Sequence, residues 1–256
     1  MGEVDSLSDL LAEAGEIAMG YFRRVQPEWK LSRSLVTEAD RQVQEYLTRR
    51  LRAHFPSDGI IAEEDDLRVP PTAGTRYWVI DPIDGTASFV AGLPVWGIGI
   101  ALVEDGRAVE GYFHVPMTGD TWSAPPDGSV RLNGEEVLIK PPAPLYAESV
   151  ILAFSRMHRV YRLSRSYRGK VRSLGSTIGH MCFVAAGSAD VAILDRVWIW
   201  DLAPGLAMLT RNGGVLRYLH GAEVSLTQLI DGGRALQRMI CGHPDAVARV
   251  EALLAV

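Results

Sequence analysis

Residues 78–86 read WVIDPIDGT, an apolar run that ends in two aspartates on either side of a proline. The apolar part predicts a buried strand that presents Asp81 at its carboxyl end. Pro82 has no backbone N–H, so we expect it to end the strand ladder and turn the chain. Asp84 would then return to the same region, and Gly85 would let the backbone approach a ligand closely. A plain turn with Asp84 as a helix N-cap needs only one acid, so the pair favours a functional site.

Two further segments place acids next to predicted structural elements. Residues 60–66 read IIAEEDD, and residues 198–201 read WIWD before a predicted helix over 202–211. Alone, the first is typical of a solvated turn, and Asp201 alone could be an N-cap. Acids from three segments, without histidines or cysteines at ligand spacing, indicate a hard cation such as Mg²⁺ or Mn²⁺ rather than zinc. A pair of such ions can clamp a phosphoryl group and lower the pKa of a bound water.

Composition excludes several other classes of protein. The chain has 256 residues, 47% of them hydrophobic and 22% charged, with a net charge of −5. This balance gives no reason to expect nucleic acid or a membrane as a partner. No apolar run is long enough for a membrane span, and the acidic N-terminus does not resemble a signal peptide. Two cysteines, Cys182 and Cys241, suit a reducing compartment, so we expect a cytoplasmic location. The sequence has no CxxC pair, Walker loop or GxSxG elbow.

The pattern of apolar residues predicts an α+β first half and a βα-alternating second half. Amphipathic helices are expected over residues 5–24 and 38–54, the second with Thr37 as N-cap. Asp105-Gly106 and Asn133-Gly134 each predict a β-hairpin. The proline-dense segment 140–144 is the best linker candidate, which divides the chain into domains 1–143 and 144–256. In the second half, strands are expected at 149–154, 171–174 and 190–194. Helices are expected between the first two strands, over 177–186 and over 202–211.

Taken together, Glu63-Glu64, the string DPIDGT at 81–86 and Trp200-Asp201 resemble the inositol monophosphatase family. That family belongs to the lithium-sensitive, metal-dependent phosphatase superfamily, which includes fructose-1,6-bisphosphatases and 3′-phosphoadenosine phosphatases. The resemblance runs from about residue 35 to residue 214. It implies a layered αβαβα sandwich, a homodimer, two or three Mg²⁺ per site with Mn²⁺ as a substitute, and in-line attack by water.

The resemblance also implies a role for each matching residue. The implied metal ligands are Glu63, Asp81, the carbonyl of Ile83, Asp84 and Asp201. Thr86, with Glu64 as its partner, would orient and deprotonate the attacking water, and Asp40 would lie at the edge of the metal site. The implied substrate contacts are Asp84, Gly85, Thr86, Asp201 and the loop Gly175-Ser176-Thr177, with the amides of Gly85 and Thr86 holding the phosphate.

The resemblance therefore implies a Mg²⁺-dependent phosphomonoesterase acting on a small phosphorylated metabolite, such as inositol monophosphate or a similar sugar or polyol phosphate. The alternatives are a fructose-1,6-bisphosphatase, a histidinol-phosphate phosphatase, a 3′-phosphoadenosine phosphatase and a non-catalytic metal- or phosphate-binding relative. Leu194 stands where animal members have a glutamate that contacts inositol. Arginines recur every third residue from Arg156 to Arg168. They form either an exposed helix face, a subunit contact or a grip on a second phosphate.

Overall fold

The computed structural model describes residues 6–29, 35–64, 67–72, 74–231 and 233–255. The helices are α1 (Leu7–Tyr21), α2 (Glu38–His54), α3 (Thr86–Val90), α4 (Thr177–Ala185), α5 (Ile199–Arg211) and α6 (Pro244–Glu251). The strands of the first half are β1 (Glu28–Trp29), β2 (Leu35–Val36), β3 (Gly59–Ala62), β4 (Arg68–Val69), β5 (Arg76–Asp84), β6 (Gly97–Glu104), β7 (Arg107–Val115), β8 (Asp120–Ala124), β9 (Arg131–Leu132) and β10 (Glu135–Glu136). The strands of the second half are β11 (Val150–Ala153), β12 (Arg162–Leu163), β13 (Lys170–Arg172), β14 (Val191–Leu194), β15 (Val215–Tyr218), β16 (Met239–Gly242) and β17 (Leu254–Ala255).

An eight-stranded sheet occupies the first half, in the order β10-β9-β8-β7-β6-β5-β3-β4. Its pairs are antiparallel except β3 with β5, which run parallel. The two hairpin predictions are confirmed. Asp105 and Gly106 have φ of 50° and 76°, and Asn133 and Gly134 have φ of 53° and 85°. Positive φ at both central residues matches the twist of the flanking strands.

A five-stranded sheet occupies the second half, in the order β13-β11-β14-β16-β15. Helices α4 and α5 lie between the two sheets and contact both. Helices α1 and α2 cover the outer face of the larger sheet, and α6 covers the outer face of the smaller one. This is the predicted αβαβα sandwich. The predicted boundary at residues 143 and 144 separates the two sheets, but the central core draws on both halves, and the division stays a prediction.

Alternation along the strands explains the layers. Trp78 and Ile80 of β5 face the core beneath α1 and α2, whereas Val79 faces the core that contains α4 and α5. Successive side chains of a strand point to opposite faces of the sheet. By this alternation Asp81 shares the face of Val79 and points toward the central helix layer.

The prediction of a helix between β11 and β13 is wrong. The chain there makes a single 3-10 turn, Met157–Arg159, and then β12, which pairs with β17 near the end of the chain. Arginines three residues apart on one helix face repel one another when no acid lies between them. Backbone pairing with the last residues replaces the helix, so the spacing of the arginines does not mark a helix face.

Two element boundaries also differ from expectation. The first helix spans Leu7–Tyr21 rather than 5–24; Ser6 is its N-cap, and Asp5 lies outside the described residues. Helix α5 begins at Ile199, so Asp201 lies in its first turn instead of preceding it. Helix α2 begins and ends where the sequence predicts, with Thr37 as N-cap. None of the helices in the described part of the chain is long and apolar enough to cross a lipid bilayer.

Candidate metal and phosphate site

A bulge in β5 brings Asp81 and Asp84 to one face of the sheet. Asp81 pairs with Gly99 and Asp84 with Gly97, so three residues of β5 match two of β6. Without the extra residue, side chains three positions apart would face opposite ways. The expectation that Pro82 ends the ladder is therefore wrong. The strand continues to Asp84, and the bulge accommodates Pro82, which has no N–H group to donate to the ladder.

This face is closely covered by the central helices. A Cβ on Gly99 would lie 2.5 Å from Ile178 of α4 and 3.1 Å from Pro204 of α5. Gly99 lies on β6 and pairs with Asp81 of β5. Glycine at this position therefore lets both helices approach the sheet where the two aspartates emerge. A glycine inside strand β6 at position 99 is explained by this close packing.

Asp201 completes a cluster of three carboxylates. One carboxylate oxygen from each of Asp81, Asp84 and Asp201 lies within 4.8 Å of the other two. Asp201 occupies the first turn of α5, where its carboxylate accepts a 2.7 Å hydrogen bond from the N–H of Trp198. It therefore positions the start of the helix and points into the cluster at the same time.

The carboxylate of Asp81 fits a cation site. Both of its oxygens are buried, and neither has a hydrogen-bond partner among the described residues. Leaving an ionised carboxylate buried and unpaired is costly, because it loses its hydration and gains nothing in return. A divalent cation between Asp81, Asp84 and Asp201 would supply the missing partner. The donors are all oxygens, as Mg²⁺ and Mn²⁺ require.

Burial and mutual repulsion disfavour three negative charges in this cluster. Burial raises the pKa of Asp81 well above its usual value, and the charges of Glu63, Asp84 and Asp201 raise it further. Burial, reinforced by Glu63, raises the pKa of Asp201 to about 8. Burial also raises the pKa of Asp84, although only to about 6, because four hydrogen bonds stabilise its ionised form. Without a cation the cluster retains protons near neutral pH.

The two glutamates after β3 face different cavities. Ala62 pairs with Ile80 in the parallel ladder, so Glu63 follows the strand beside Asp81. Glu63 lines the same cavity as Asp201. Glu64 is buried, its backbone N–H and carbonyl are both held by the side chain of Gln44, and it lines a separate cavity beside α2. Asp65 and Asp66 lie outside the described residues.

Thr86 lies between Asp40 and the carbonyl of Ile83. Its hydroxyl is 3.3 Å from Asp40 Oδ1 and 3.0 Å from the oxygen of Ile83. The other oxygen of Asp40 accepts hydrogen bonds from the N–H and hydroxyl of Thr37, at 2.8 and 2.6 Å, which fixes its orientation at the start of α2. The structure thus gives Thr86 a carboxylate partner in Asp40, while the role expected of Glu64 stays a prediction.

Asp84 connects the carboxylate cluster to the expected substrate loop. Its carboxylate accepts hydrogen bonds from the hydroxyl of Ser176 and from the N–H groups of Thr177, Ile178 and Gly179, the last three at 2.9, 2.8 and 3.4 Å. It therefore caps the first turn of α4 although it lies on β5.

Gly85 also allows the 175–177 loop to lie close to the end of β5. It has φ of 94°, and a Cβ there would lie 2.9 Å from the carbonyl oxygen of Gly175. Only glycine combines this left-handed conformation with such a close approach.

The site opens into a cavity of about 330 Å³. Sequence reasoning found Glu63, Asp201 and the 175–177 loop among its lining residues but missed His180, Trp198 and Arg234. His180 lies one helical turn after Thr177, a spacing that could have identified it. Its Nε2 accepts a 2.9 Å hydrogen bond from the N–H of Leu174, and burial lowers its pKa to about 4. The side chain of His180 is therefore neutral and already partnered at that nitrogen.

Layers of helices and sheets around a cluster of oxygen donors define an α/β-sandwich protein with a candidate cation site, and comparison with known proteins specifies its family. A sequence model of the inositol monophosphatase family matches residues 3–243. A fructose-1,6-bisphosphatase/inositol-1-monophosphatase from Thermotoga maritima is 31% identical over 236 residues, covering 88% of each chain. A histidinol-phosphatase from Chlorobaculum parvum is 34% identical over 233 residues, covering 88% of this chain and 87% of that one.

A solved structure supports the same assignment. The IMPase of Thermotoga maritima superposes with a TM-score of 0.83 and 29% identity, covering 99% of this chain and 96% of that one. The chain belongs to the inositol monophosphatase family, and it is a phosphoric monoester hydrolase. The family prediction and the fold prediction are both confirmed.

Proposed function

We propose that this protein is a Mg²⁺-dependent phosphomonoesterase that releases phosphate from a small phosphorylated metabolite, within the class of sugar and polyol phosphates. The observation that carries the proposal is the buried, unpartnered carboxylate of Asp81 within 4.8 Å of oxygens from Asp84 and Asp201. Glu63 and the carbonyl of Ile83 complete the proposed ligand set. Two or three ions per site are expected, with Mn²⁺ as a substitute for Mg²⁺.

The chemistry that bound Mg²⁺ supplies is a lowered pKa of the attacking water and neutralisation of charge on the phosphoryl oxygens. The protein's own part begins with Thr86. Its hydroxyl lies within donating distance of the Ile83 carbonyl, at 3.0 Å, and of Asp40, at 3.3 Å; with that carbonyl engaged as a metal ligand it would donate to Asp40, which leaves its lone pairs to accept a hydrogen bond from the water. As the water attacks phosphorus, its proton passes to Thr86 Oγ1 while the proton of Thr86 passes to Asp40.

The substrate phosphate would lie at the start of α3. The N–H groups at the start of a helix have no acceptor within it, and the ones proposed to bind the phosphate are those of Gly85, the N-cap, and Thr86, the first residue of α3. The leaving group would then face Thr177 and the cavity beyond the 175–177 loop. Asp84 holds that loop in place through its hydrogen bonds to Ser176 and Thr177. Cleavage leaves the free alcohol and inorganic phosphate.

The testing experiment is phosphate release with and without Mg²⁺ or Mn²⁺ from inositol 1-phosphate, fructose 1,6-bisphosphate, histidinol phosphate and 3′-phosphoadenosine 5′-phosphate. We expect turnover that requires the metal and that is lost in Asp84→Asn. Calorimetric titration with Mg²⁺ would count the ions. Absence of turnover with every substrate and metal would instead favour a binding protein.

We further propose that the enzyme acts as a homodimer in the cytoplasm and is inhibited by millimolar lithium. Family resemblance supports the dimer and the lithium inhibition, and the two free, buried cysteines, Cys182 and Cys241, are compatible with a reducing compartment. Sedimentation equilibrium tests the dimer, and a lithium titration of phosphate release tests the inhibition. A monomer at micromolar concentration, or unchanged turnover in lithium, would contradict the respective proposal.

A further inference from the structure

His180 is a buried histidine in the wall of the site cavity that the proposed mechanism does not use. It follows Thr177 by one turn on α4, and both residues line the cavity. Only 4% of the surface of His180 is exposed. Because the leaving group is proposed to face Thr177, a side chain one turn further along the same helix face lies beside the far part of that group.

One hydrogen bond fixes the orientation of the imidazole. Its Nε2 accepts from the N–H of Leu174 at 2.9 Å. Burial lowers the pKa of His180 to about 4, so the ring is neutral at pH 7. A neutral imidazole has one proton, and since Nε2 accepts a hydrogen bond, the proton is assigned to Nδ1. Nδ1 is therefore a hydrogen-bond donor.

This donor is unpaired within the described part of the chain, and it is directed toward the cavity. The one hydrogen bond described for the His180 side chain is the one at Nε2. Leu174 packs against the central core and is not among the described residues that line the cavity, so Nε2 faces away from it. The two ring nitrogens point in roughly opposite directions, which turns Nδ1 toward the cavity. A ligand oxygen that accepts from Nδ1 would supply the missing hydrogen bond.

Neighbouring groups of the wall are engaged, apolar or less enclosed. The hydroxyl of Ser176 donates to Asp84. Leu194, buried at the end of β14, has no polar side-chain atom. Thr177 is half-buried and Arg234 is exposed, so solvent competes for the hydrogen bonds of both side chains. His180 combines burial, a fixed ring and a donor without a partner, which makes its hydrogen bond the more selective one.

We propose that His180 is a specificity-determining residue whose Nδ1–H donates a hydrogen bond to a hydroxyl oxygen of the leaving group. The favoured substrates are then phosphomonoesters whose leaving group carries a free hydroxyl in addition to the ester oxygen. His180 binds the leaving group and takes no part in the proton transfer from the attacking water. This inference rests on the proposed function, because it concerns the leaving group of the same reaction.

The test compares substrates that differ only in the hydroxyl groups of the leaving group. The pairs are inositol 1-phosphate with cyclohexyl phosphate, and glycerol 2-phosphate with isopropyl phosphate. The measured quantity is the ratio of kcat/KM for the hydroxylated member to that for the hydroxyl-free member, with Mg²⁺ present. We expect the wild type to prefer the hydroxylated member of at least one pair. In His180→Gln this ratio should fall about three- to tenfold, the effect of one neutral hydrogen bond.

Two amide variants separate the donor from the contact with the loop. The amide of His180→Gln reaches the position of Nε2, so it can accept from Leu174 but supplies no donor at the position of Nδ1. The amide of His180→Asn reaches the position of Nδ1, so it keeps a donor and loses the contact with Leu174. We expect His180→Asn to keep the wild-type ratio within about twofold while its melting temperature falls.

His114→Gln is the matched control, because His114 is also buried but lies on β7, bonded to Thr121 and outside the described wall of the site cavity. It should leave the ratio unchanged, whatever its effect on the melting temperature. The inference is overturned if His180→Gln keeps the wild-type ratio or if the wild type prefers neither hydroxylated substrate. It is also overturned if His180→Asn loses the preference as fully as His180→Gln, since the imidazole would then act only by holding Leu174.

A binding measurement separates failure of this inference from failure of the proposed function. Calorimetric titration of both members of each pair into Thr86→Ala, with Mg²⁺ present, reports affinity without turnover. Tighter binding of the hydroxylated member that is lost on adding His180→Gln supports the inference even if no hydrolysis is found. Equal affinities for the two members, or no binding of either, overturn it.

Discussion

The carboxylate of Asp81 differs from those of Asp84 and Asp201 in its effect on the stability of the protein. Asp84 accepts four hydrogen bonds and Asp201 accepts one, whereas both oxygens of Asp81 are buried without a described partner. Asp81 therefore destabilises the metal-free protein and gains the most when a cation binds. Function and stability are opposed at this residue.

Asp81→Asn is expected to raise the free energy of unfolding of the metal-free protein by about 1–3 kcal/mol at pH 8, because a neutral amide needs no proton to be buried. The same change should abolish hydrolysis and the rise in melting temperature that we expect on adding Mg²⁺. Differential scanning fluorimetry in EDTA and in Mg²⁺ measures both effects. Asp127→Asn, an exposed acid, is the control and should change neither. A destabilised metal-free Asp81→Asn would contradict the assignment.

Thr86→Ala is expected to lower kcat by about 10²–10⁴-fold with KM changed only a few-fold, because the hydroxyl acts on the water and not on the substrate. Thr86→Ser keeps a hydroxyl beside Asp40 and should recover most of the rate. Steady-state kinetics on whichever substrate the wild type hydrolyses best would compare the two. A Ser variant as slow as the Ala variant would show that the methyl group, not the hydroxyl, is what matters.

At the level of elements, the close approach of α5 to the sheet depends on Gly111 of β7. A Cβ there would overlap the carbonyl oxygen of Pro204 and come within 2.8 Å of Ala207. Helix α5 carries Asp201 in its first turn, so the spacing between helix and sheet also sets the spacing between Asp201 and the aspartates of β5.

Gly111→Ala is therefore expected to lower the free energy of unfolding by about 1–3 kcal/mol through overpacking. It should also weaken Mg²⁺ binding, because α5 must move away from β5. Urea unfolding and a calorimetric Mg²⁺ titration measure the two effects. Gly20→Ala in α1 is the control: a Cβ there meets nothing within 4 Å, so its stability should be unchanged or slightly raised. Unchanged stability in Gly111→Ala would refute the packing argument.

Elements whose signals are local could be predicted from the sequence. Helix α2 has an amphipathic pattern and its own cap, and Asp105-Gly106 supplies the φ values that its hairpin turn needs. The bulge in β5 could not be predicted, because it depends on pairing with β6 and not on Pro82 alone. The arginine-rich segment was misassigned because β12 finds its partner, β17, some 90 residues further along the chain.

The residues of the candidate site likewise divide into those that the sequence identified and those that it missed. The sequence motifs identified the acids that the fold brings together, because each acid follows or begins a predicted element. Arg234 and Trp198 were missed, since only the packing of the second half brings them to the site cavity. The partnership of Asp40 with Thr86 joins residues 46 positions apart, and no local pattern marks it.

For the whole molecule, the cluster makes metal-free stability depend on pH in an unusual direction. Asp201, with its pKa raised to about 8, holds a proton in the folded state that it releases on unfolding at neutral pH. The folded state therefore binds more protons than the unfolded state, and stability falls as pH rises toward 8. Burial lowers the pKa values of His114 and His180, so below about pH 6.5 the unfolded state binds more protons at these residues than the folded state does. In that range they make stability rise with pH.

Between pH 7 and 8 we expect the metal-free protein to lose about 1 kcal/mol of unfolding free energy, and more if Asp81 also titrates there. Saturating Mg²⁺ should remove or reverse this trend, because metal binding favours the deprotonated carboxylates. Melting temperatures measured across this interval in EDTA and in Mg²⁺ give the comparison. A metal-free protein whose melting temperature is constant or rises from pH 7 to 8 would contradict the raised pKa values.

The capping of α4 by Asp84 joins residues far apart in the chain, so it affects when the site can assemble during synthesis. Asp81 and Asp84 leave the ribosome more than ninety residues before Ser176 and Gly179, and Asp201 follows later still. A nascent chain that stops before Asp201 holds two strand aspartates without the helix amides and the third carboxylate that complete the cluster. The proposed metal site can therefore form only after most of the chain has been translated, so release of the second half sets the earliest moment at which a metal could bind there.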